Sequence, residues 1–153
     1  MSGNPKQNQP YPDADFVLVD EPEHPANLAL LEYYHSITQP NGIAMRRHLS
    51  GIFLAEPHED DVFYKVMGSE IETRLPSVRT GETLRSAFPG PLGDRFLDLY
   101  RKVRDERKMI VIKRRFIGFG VEHATFEALM LPMIADDGNL LVIGGMFDLA
   151  EIG

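Results

Sequence analysis

The five histidines are the side chains of this sequence that could both transfer protons near neutral pH and bind a metal ion. Their spacing, however, predicts no metal site. They are His24, His35, His48, His58 and His123. None lies three or four residues from another, the spacing at which two side chains share one face of a helix. The chain has no cysteine, which excludes a thiolate metal site, a cysteine nucleophile and a disulfide framework. We therefore interpret the histidines as surface or hydrogen-bonded residues.

A single carboxylate interrupts an otherwise apolar stretch near the C-terminus. Glu127 follows Thr125 and shares the alternation of Leu129 and Leu131. If that face of the strand is covered, the carboxylate needs a partner, and Arg114 or Arg115 on the preceding strand is the natural one. The sequence locates no Ser-His-Asp arrangement and no carboxylate pair, so we expect Glu127 to be structural rather than catalytic.

Basic residues cluster between Arg101 and Arg115, in a chain whose net charge is −7. Such a cluster can recognise an anionic ligand or an acidic partner. Cations near the end of a helix are also favoured by the helix dipole, and we prefer that interpretation. The acidic balance of the whole chain argues against a nucleic-acid binder and against an anionic membrane as partner.

The elements that must position these side chains follow from the apolar periodicity. A helix is predicted over 92–103, because apolar residues recur on one side of it only. The pattern also predicts a helix over 26–38 and three long strands after the 92–103 helix, within 109–117, 125–134 and 140–149. A hairpin is expected from 49–54 and 62–67, with Val62, Tyr64 and Val66 on one side of its second strand.

A chain of 153 residues is most simply one domain. Residues 1–25 contain five prolines and are expected to form a flexible segment, which leaves 26–153 as the folded domain. No apolar run reaches the roughly 20 residues needed to span a bilayer, and the polar N-terminus lacks the apolar centre of a signal peptide. These features predict a cytoplasmic protein.

Short motifs in this order resemble a known family. They are Gly68-Ser69-Glu70-Ile71 after a strand, Thr80-Gly81-Glu82, Leu99-Tyr100 near the end of a helix, Leu131-Pro132-Met133, and Ile143-Gly144-Gly145-Met146. Their order over residues 27–149 resembles a bacterial family of short, standalone PAS-type proteins of largely unassigned function. The family often has a tryptophan in its first helix, where this chain has Tyr33 and Tyr34.

The resemblance implies an α+β fold and a non-catalytic sensory function. It implies a PAS-like five-stranded antiparallel sheet with helices on one face and an N-terminal helix. A small apolar or amphipathic ligand would lie between the sheet and the helices. The residues we expect to contact it are Phe96, Leu99, Tyr100, Ile112, Met130 and Ile143.

The resemblance also bears on cofactors and partners. A signalling protein such as a histidine kinase would read the ligand-bound state. Independently of the resemblance, the broad apolar stripe of the 26–38 helix favours a homodimer through that helix. The cofactor is unknown. Some PAS domains hold haem through one histidine, for which His48 and His123 are the candidates, whereas the photochemistry of flavin sensors needs a cysteine that this chain lacks.

Two alternatives stay open. A cone-shaped enzyme of the steroid-isomerase type also combines N-terminal helices with long curved strands, and it would use Glu127 or Asp148 as a buried base in a deep pocket. The long helix predicted over 92–103 lies between the second strand, 62–67, and the third, within 109–117. This position suits a PAS-type domain better. A protein-interaction module with a filled core and no ligand is the other alternative.

Overall fold

The strands form one six-stranded antiparallel sheet, and helices cover both of its faces. The computed structural model describes residues 16–35, 48–115 and 125–152. The strands are β1 (Phe16–Val19), β2 (Ile52–Pro57), β3 (Val62–Met67), β4 (Ile110–Arg114), β5 (Phe126–Ile134) and β6 (Leu140–Asp148). Their order across the sheet is β1-β4-β5-β6-β2-β3. The predicted α+β class is confirmed.

Within the described residues, four α-helices lie between the strands. They are α1 (Pro25–His35), α2 (Ser69–Arg74), α3 (Leu84–Ala87) and α4 (Pro91–Glu106). The helix α4 begins with Pro91, whose missing N–H needs no partner in a first turn, and it ends at Arg107 in the left-handed conformation. No described helix is both long and apolar enough to cross a lipid bilayer.

The sheet separates two apolar clusters. The larger cluster lies between the sheet and α2, α3 and α4. The smaller one lies on the opposite face, where Leu30 of α1 packs against Val111, Leu129 and Leu131. Side chains alternate along a strand, so β4 and β5 contribute to both clusters. The expectation of helices on one face therefore holds for α2 to α4, while α1 covers the other face.

The prediction of five strands was wrong, because the segment before α1 adds a sixth. Phe16 pairs with Arg114 and Val19 with Val111, which places β1 at the free edge of β4. Residues 1–25 were assigned to a flexible N-terminal segment, but Phe16–Val19 within it pair with the sheet. The short apolar run of β1 is enough to extend an open edge. Residues 1–15 lie outside the described residues.

A register shift in the β2–β3 hairpin changes which side chains face the core. Leu54 pairs with Val66 and Ala55 pairs with Tyr64, so Lys65 is an extra residue on β3. Such a bulge reverses the alternation beyond it. Val62 and Tyr64 share one side of the strand as predicted and both are buried, but Val66 is 51% exposed and Met67 is buried in its place.

The other predicted elements agree with the structure to within a few residues. The helix predicted over 92–103 spans Pro91–Glu106, and its apolar side is buried. The three long strands are β4, β5 and β6. The predicted end of the first of them, 116–117, and the predicted end of the 26–38 helix lie outside the described residues.

Candidate ligand-binding cavity

A cavity of about 70 Å³ lies between the sheet and helices α2 to α4. Its walls are almost entirely aliphatic and aromatic, and Arg114 is the charged side chain among the described residues that line it. Met67, Met130 and Met146 contribute from three different strands. Methionine side chains are unbranched and adapt to irregular shapes, so these walls can adjust to an occupant.

Five of the six residues predicted to contact a ligand line this one cavity. They are Phe96, Leu99, Tyr100, Ile112 and Met130. The helix α4 contributes the first three because its apolar side faces the sheet. The strands β4 and β5 contribute the other two, since alternate residues of paired strands share one face of a sheet.

The prediction for Ile143 was wrong in its face of the sheet. Met130 pairs with Gly144, so the cavity face of β6 carries Gly144 and Met146. Ile143 pairs with Leu131 on the opposite face. There it lines a groove of about 590 Å³ between the C-terminal half of α1 and the β5–β6 hairpin. Met146 is the residue of β6 that lines the cavity.

Arg114 also lines the cavity, although it was not among the residues predicted to do so. Its side chain is 2% exposed, and its guanidinium carbon lies 4.4 Å from the centre of the Phe96 ring. Phe16 of β1 stacks on the same ring at 6.2 Å. The signal was present in the alternation, because Ile110, Ile112 and Arg114 are spaced two apart and must share a face. An arginine over an aromatic face gains a cation–π attraction that increases when water is excluded.

Two phenols also line the cavity, and both keep their protons at neutral pH. Burial raises the pKa of Tyr100, and burial together with nearby Tyr100 and Asp61 raises the pKa of Tyr64 well above its usual value. A neutral phenol can donate a hydrogen bond. Among the described residues, the polar side-chain groups that line the cavity are a guanidinium and two hydroxyl groups.

The buried carboxylate of Glu127 lies on the face of the sheet opposite to the cavity, and its side chain is fully buried. Its oxygens accept hydrogen bonds from the backbone N–H groups of Glu23 at 2.7 Å and His24 at 3.0 Å. The side-chain amide of Asn27 donates a third, at 3.0 Å. These donors belong to the start of α1 and to the connection Asp20–His24 that joins it to β1.

The expected ion pair of Glu127 with Arg114 or Arg115 was therefore wrong. Arg114 faces the cavity on the other side of the sheet, and the residue opposite Glu127 on β4 is Lys113. The Lys113 ammonium pairs with the Glu23 carboxylate at 2.7 Å. A carboxylate that accepts several backbone N–H bonds is stabilised without a cation.

The connection between β1 and α1 packs closely on β6. His24 stacks on Phe147 with ring centres 4.9 Å apart, and its Nδ1 accepts a hydrogen bond from the Ala26 N–H. A Cβ atom added to Gly145 would lie 2.3 Å from the Asn27 amide oxygen. Glycine at this position is therefore required for α1 to approach β6 as closely as it does.

The other candidate groups do not assemble into a site. No three His, Asp or Glu side chains within 16–35, 48–115 and 125–152 are arranged to hold a metal ion. His48 lies beside Phe147 on the α1 face, away from the cavity, and His123 is outside the described residues. Arg101 and Arg104 of the basic cluster contact neighbouring acidic groups, which include Glu59.

The steroid-isomerase alternative needs a carboxylate in the cavity. Among the described residues that line it there is none. Glu127 is on the other face, and Asp148 is ion-paired with Arg74 at 3.1 Å.

A scan against protein-family models finds no match for this chain, and a search of curated proteins finds no similar sequence.

Proposed function

We propose that this protein is a non-catalytic, PAS-type sensory domain that binds a small apolar or amphipathic molecule in the cavity between its sheet and α2 to α4. The observation that carries the proposal is the cavity itself. A space of about 70 Å³ has a lining that consists mainly of aromatic and aliphatic groups. It is about half the size of a cavity of roughly 150 Å³ that binds benzene, so it suits a small occupant or a modest expansion.

The order of the strands supports the PAS-type assignment. Without β1, the strands number one to five along the chain as β2, β3, β4, β5 and β6, and they lie across the sheet in the order 2-1-5-4-3. The helices α2 to α4 connect the second strand to the third and cover one face. A PAS-type domain has this arrangement, with its ligand between those helices and the sheet.

The strand β5 offers a direct route from the cavity to the outer surface. Ala128 and Met130 face the cavity, while Leu129 between them packs against Leu30 of α1. A ligand that moves β5 would therefore move α1, whose Leu28 is 46% exposed. We propose that a signalling partner such as a histidine kinase, or a second copy of this chain, reads the position of α1.

The proposal is tested by nuclear magnetic resonance titration of the isotope-labelled protein with 1-propanol and 1-butanol, which have fewer non-hydrogen atoms than benzene. We expect shift changes centred on the residues that line the cavity, followed by smaller changes in α1. Ala128→Met fills the cavity and should abolish the binding. Val66→Met adds the same side chain at an exposed position and serves as the control. If neither probe perturbs the cavity resonances at millimolar concentration, the ligand-binding proposal is wrong and a ligand-free interaction module is the better description.

A further inference from the structure

We propose that pH controls how firmly α1 is held on the sheet, through His24, which caps the first turn of α1 only while its imidazole is neutral. This control acts on α1 directly and needs no ligand in the cavity. The helix begins at Pro25, so His24 occupies its N-cap position. The His24 carbonyl accepts the first hydrogen bond of the helix, from the N–H of Leu28, as the carbonyl of an N-cap residue does.

A side-chain hydrogen bond at the N-cap shows which protonation state of His24 the folded protein holds. The Nδ1 atom accepts from the backbone N–H of Ala26 at 3.0 Å, so it carries a lone pair and no proton. Such an imidazole is neutral and has its proton on Nε2, because an imidazolium donates from both nitrogens. The usual N-cap residues are serine, threonine, asparagine and aspartate. Histidine differs from them because it changes charge between pH 5 and 8.

Burial makes protonation of His24 costly while α1 is attached. His24 is 6% exposed and Ala26 is fully buried. The ring of His24 is stacked on Phe147, and its Nε2 atom is buried with no hydrogen-bond partner among the described residues. A proton on Nδ1 would place two N–H donors against each other, and the buried Ala26 N–H would lose its acceptor. The positive charge would also lie at the N-terminus of a helix, where the helix dipole disfavours a cation.

Charged and titratable groups on the neighbouring elements surround this cap. On β5, the Glu127 carboxylate accepts from the backbone N–H of His24 and would attract an imidazolium. On β4, Lys113 is paired with Glu23. His48, just before β2, contacts the same aromatic ring of β6 as His24 does. The residues of β6 on this face are uncharged. Attraction to the Glu127 carboxylate offsets part of the cost of protonation, but it cannot restore the lost N-cap hydrogen bond.

Detachment of the start of α1 removes the conflict between the two donors. Once His24 reaches water it can bind a proton without losing a hydrogen bond, so a lower pH favours the detached state. The N-cap bond is complete where the imidazole is neutral, and it is lost as the pH falls through the range in which histidine becomes charged. An N-cap bond changes the equilibrium between attached and detached α1 by about tenfold.

Two measurements on the full chain test this control. Nitrogen-15 magnetic resonance at about pH 7.5 should show that Nδ1 of His24 has no proton and that Nε2 has one. Hydrogen exchange of the α1 amides, corrected for the intrinsic pH dependence of exchange, should show about tenfold more opening near pH 5 than near pH 7.5. His24→Asn keeps an N-cap acceptor that does not titrate and should remove most of this difference. His58→Asn makes the same change at an exposed histidine and should leave the difference intact.

Several results would overturn the assignment to His24. It is wrong if Nδ1 carries the proton at about pH 7.5, or if α1 opens equally often at both pH values. It is also wrong if His24→Asn keeps the full pH dependence, which would then belong to another group such as Glu127, or if His48→Asn removes it. The two measurements on the unaltered protein decide the question even if His24→Asn does not fold. Ligand binding in the cavity is tested separately, so either proposal can fail alone.

Discussion

Replacing Glu127 by glutamine tests whether one buried carboxylate fastens α1 to the sheet. The carboxylate accepts hydrogen bonds from two backbone N–H groups, those of Glu23 and His24, and from the amide of Asn27. Glutamine has the same shape but only one acceptor oxygen. In Glu127→Gln that oxygen can still accept from His24 and Asn27, whereas the new NH₂ group faces the N–H of Glu23 and leaves that donor without an acceptor.

The expected loss of stability follows from these contacts. A hydrogen bond to a charged group contributes about 1.5–3 kcal/mol, and one such bond is replaced by two facing donors. Removing the charge also removes its desolvation cost, which offsets part of the loss. We therefore expect Glu127→Gln to lower the free energy of unfolding by about 2 kcal/mol. For a domain of this size that corresponds to about 4–8 °C in the melting temperature.

Urea denaturation followed by circular dichroism measures the global loss. Native-state hydrogen exchange locates it, because the amides of Glu23 and His24 should exchange faster before the rest of the sheet opens. Glu32→Gln makes the same chemical change at an exposed position of α1 and should stay within about 0.5 kcal/mol of the unaltered protein. The reasoning is refuted if Glu127→Gln is as mild as that control, or if the two amides remain protected.

Three further predictions address other contacts. The pKa values of Tyr64 and Tyr100 are raised in the folded protein. The contribution of the two protonated phenols to the free energy of unfolding should therefore be complete below about pH 10, the pKa of tyrosine in the unfolded chain. It should be lost as the pH rises from there towards the pKa values of the folded protein. Urea unfolding at a series of alkaline pH values should show this loss, and a Tyr64→Phe/Tyr100→Phe double variant with an unchanged slope would contradict it. Gly145→Ala places a Cβ atom 2.3 Å from the Asn27 amide oxygen and should cost about 1–3 kcal/mol with faster hydrogen exchange in α1; an unaltered melting temperature would show that α1 can shift freely. Tyr34→Phe removes a hydroxyl that donates to the backbone of β5 and should cost about 1 kcal/mol in thermal unfolding, so an equal melting temperature would mean that this bond adds nothing.

Periodicity in the sequence was sufficient for α4 and for the long strands, because each has an apolar side that must face a core. Periodicity was not sufficient to decide which side chains of neighbouring strands lie on the same face of the sheet. Met130 and Ile143 were both taken as cavity residues, yet Met130 pairs with Gly144 and not with Ile143. Alternation divides a strand into two sides, and only the pairing register decides which sides of two strands coincide.

The partner of Glu127 could not have been read from neighbouring strands. The donors at Glu23 and His24 lie 104 and 103 residues away in the chain, in a segment that composition assigned to a flexible N-terminus. The prolines there do limit helix formation, but they do not prevent an extended segment from pairing with an open sheet edge. What the sequence did indicate correctly was that a carboxylate on a covered face needs donors.

The glycines of β6 explain how the cavity and α1 can act on each other through a single sheet. A Cβ atom at Gly144 would lie 2.2 Å from the Phe53 ring on the cavity side, and one at Gly145 would lie 2.3 Å from the Asn27 amide oxygen on the α1 side. At this point the sheet has the thickness of its backbone alone. Close-packed interiors transmit displacement rather than absorb it, so we expect that a ligand pushing on Phe53 would move β6. Such a movement would change the position of Asn27, and with it the hydrogen bond that Asn27 makes to Glu127.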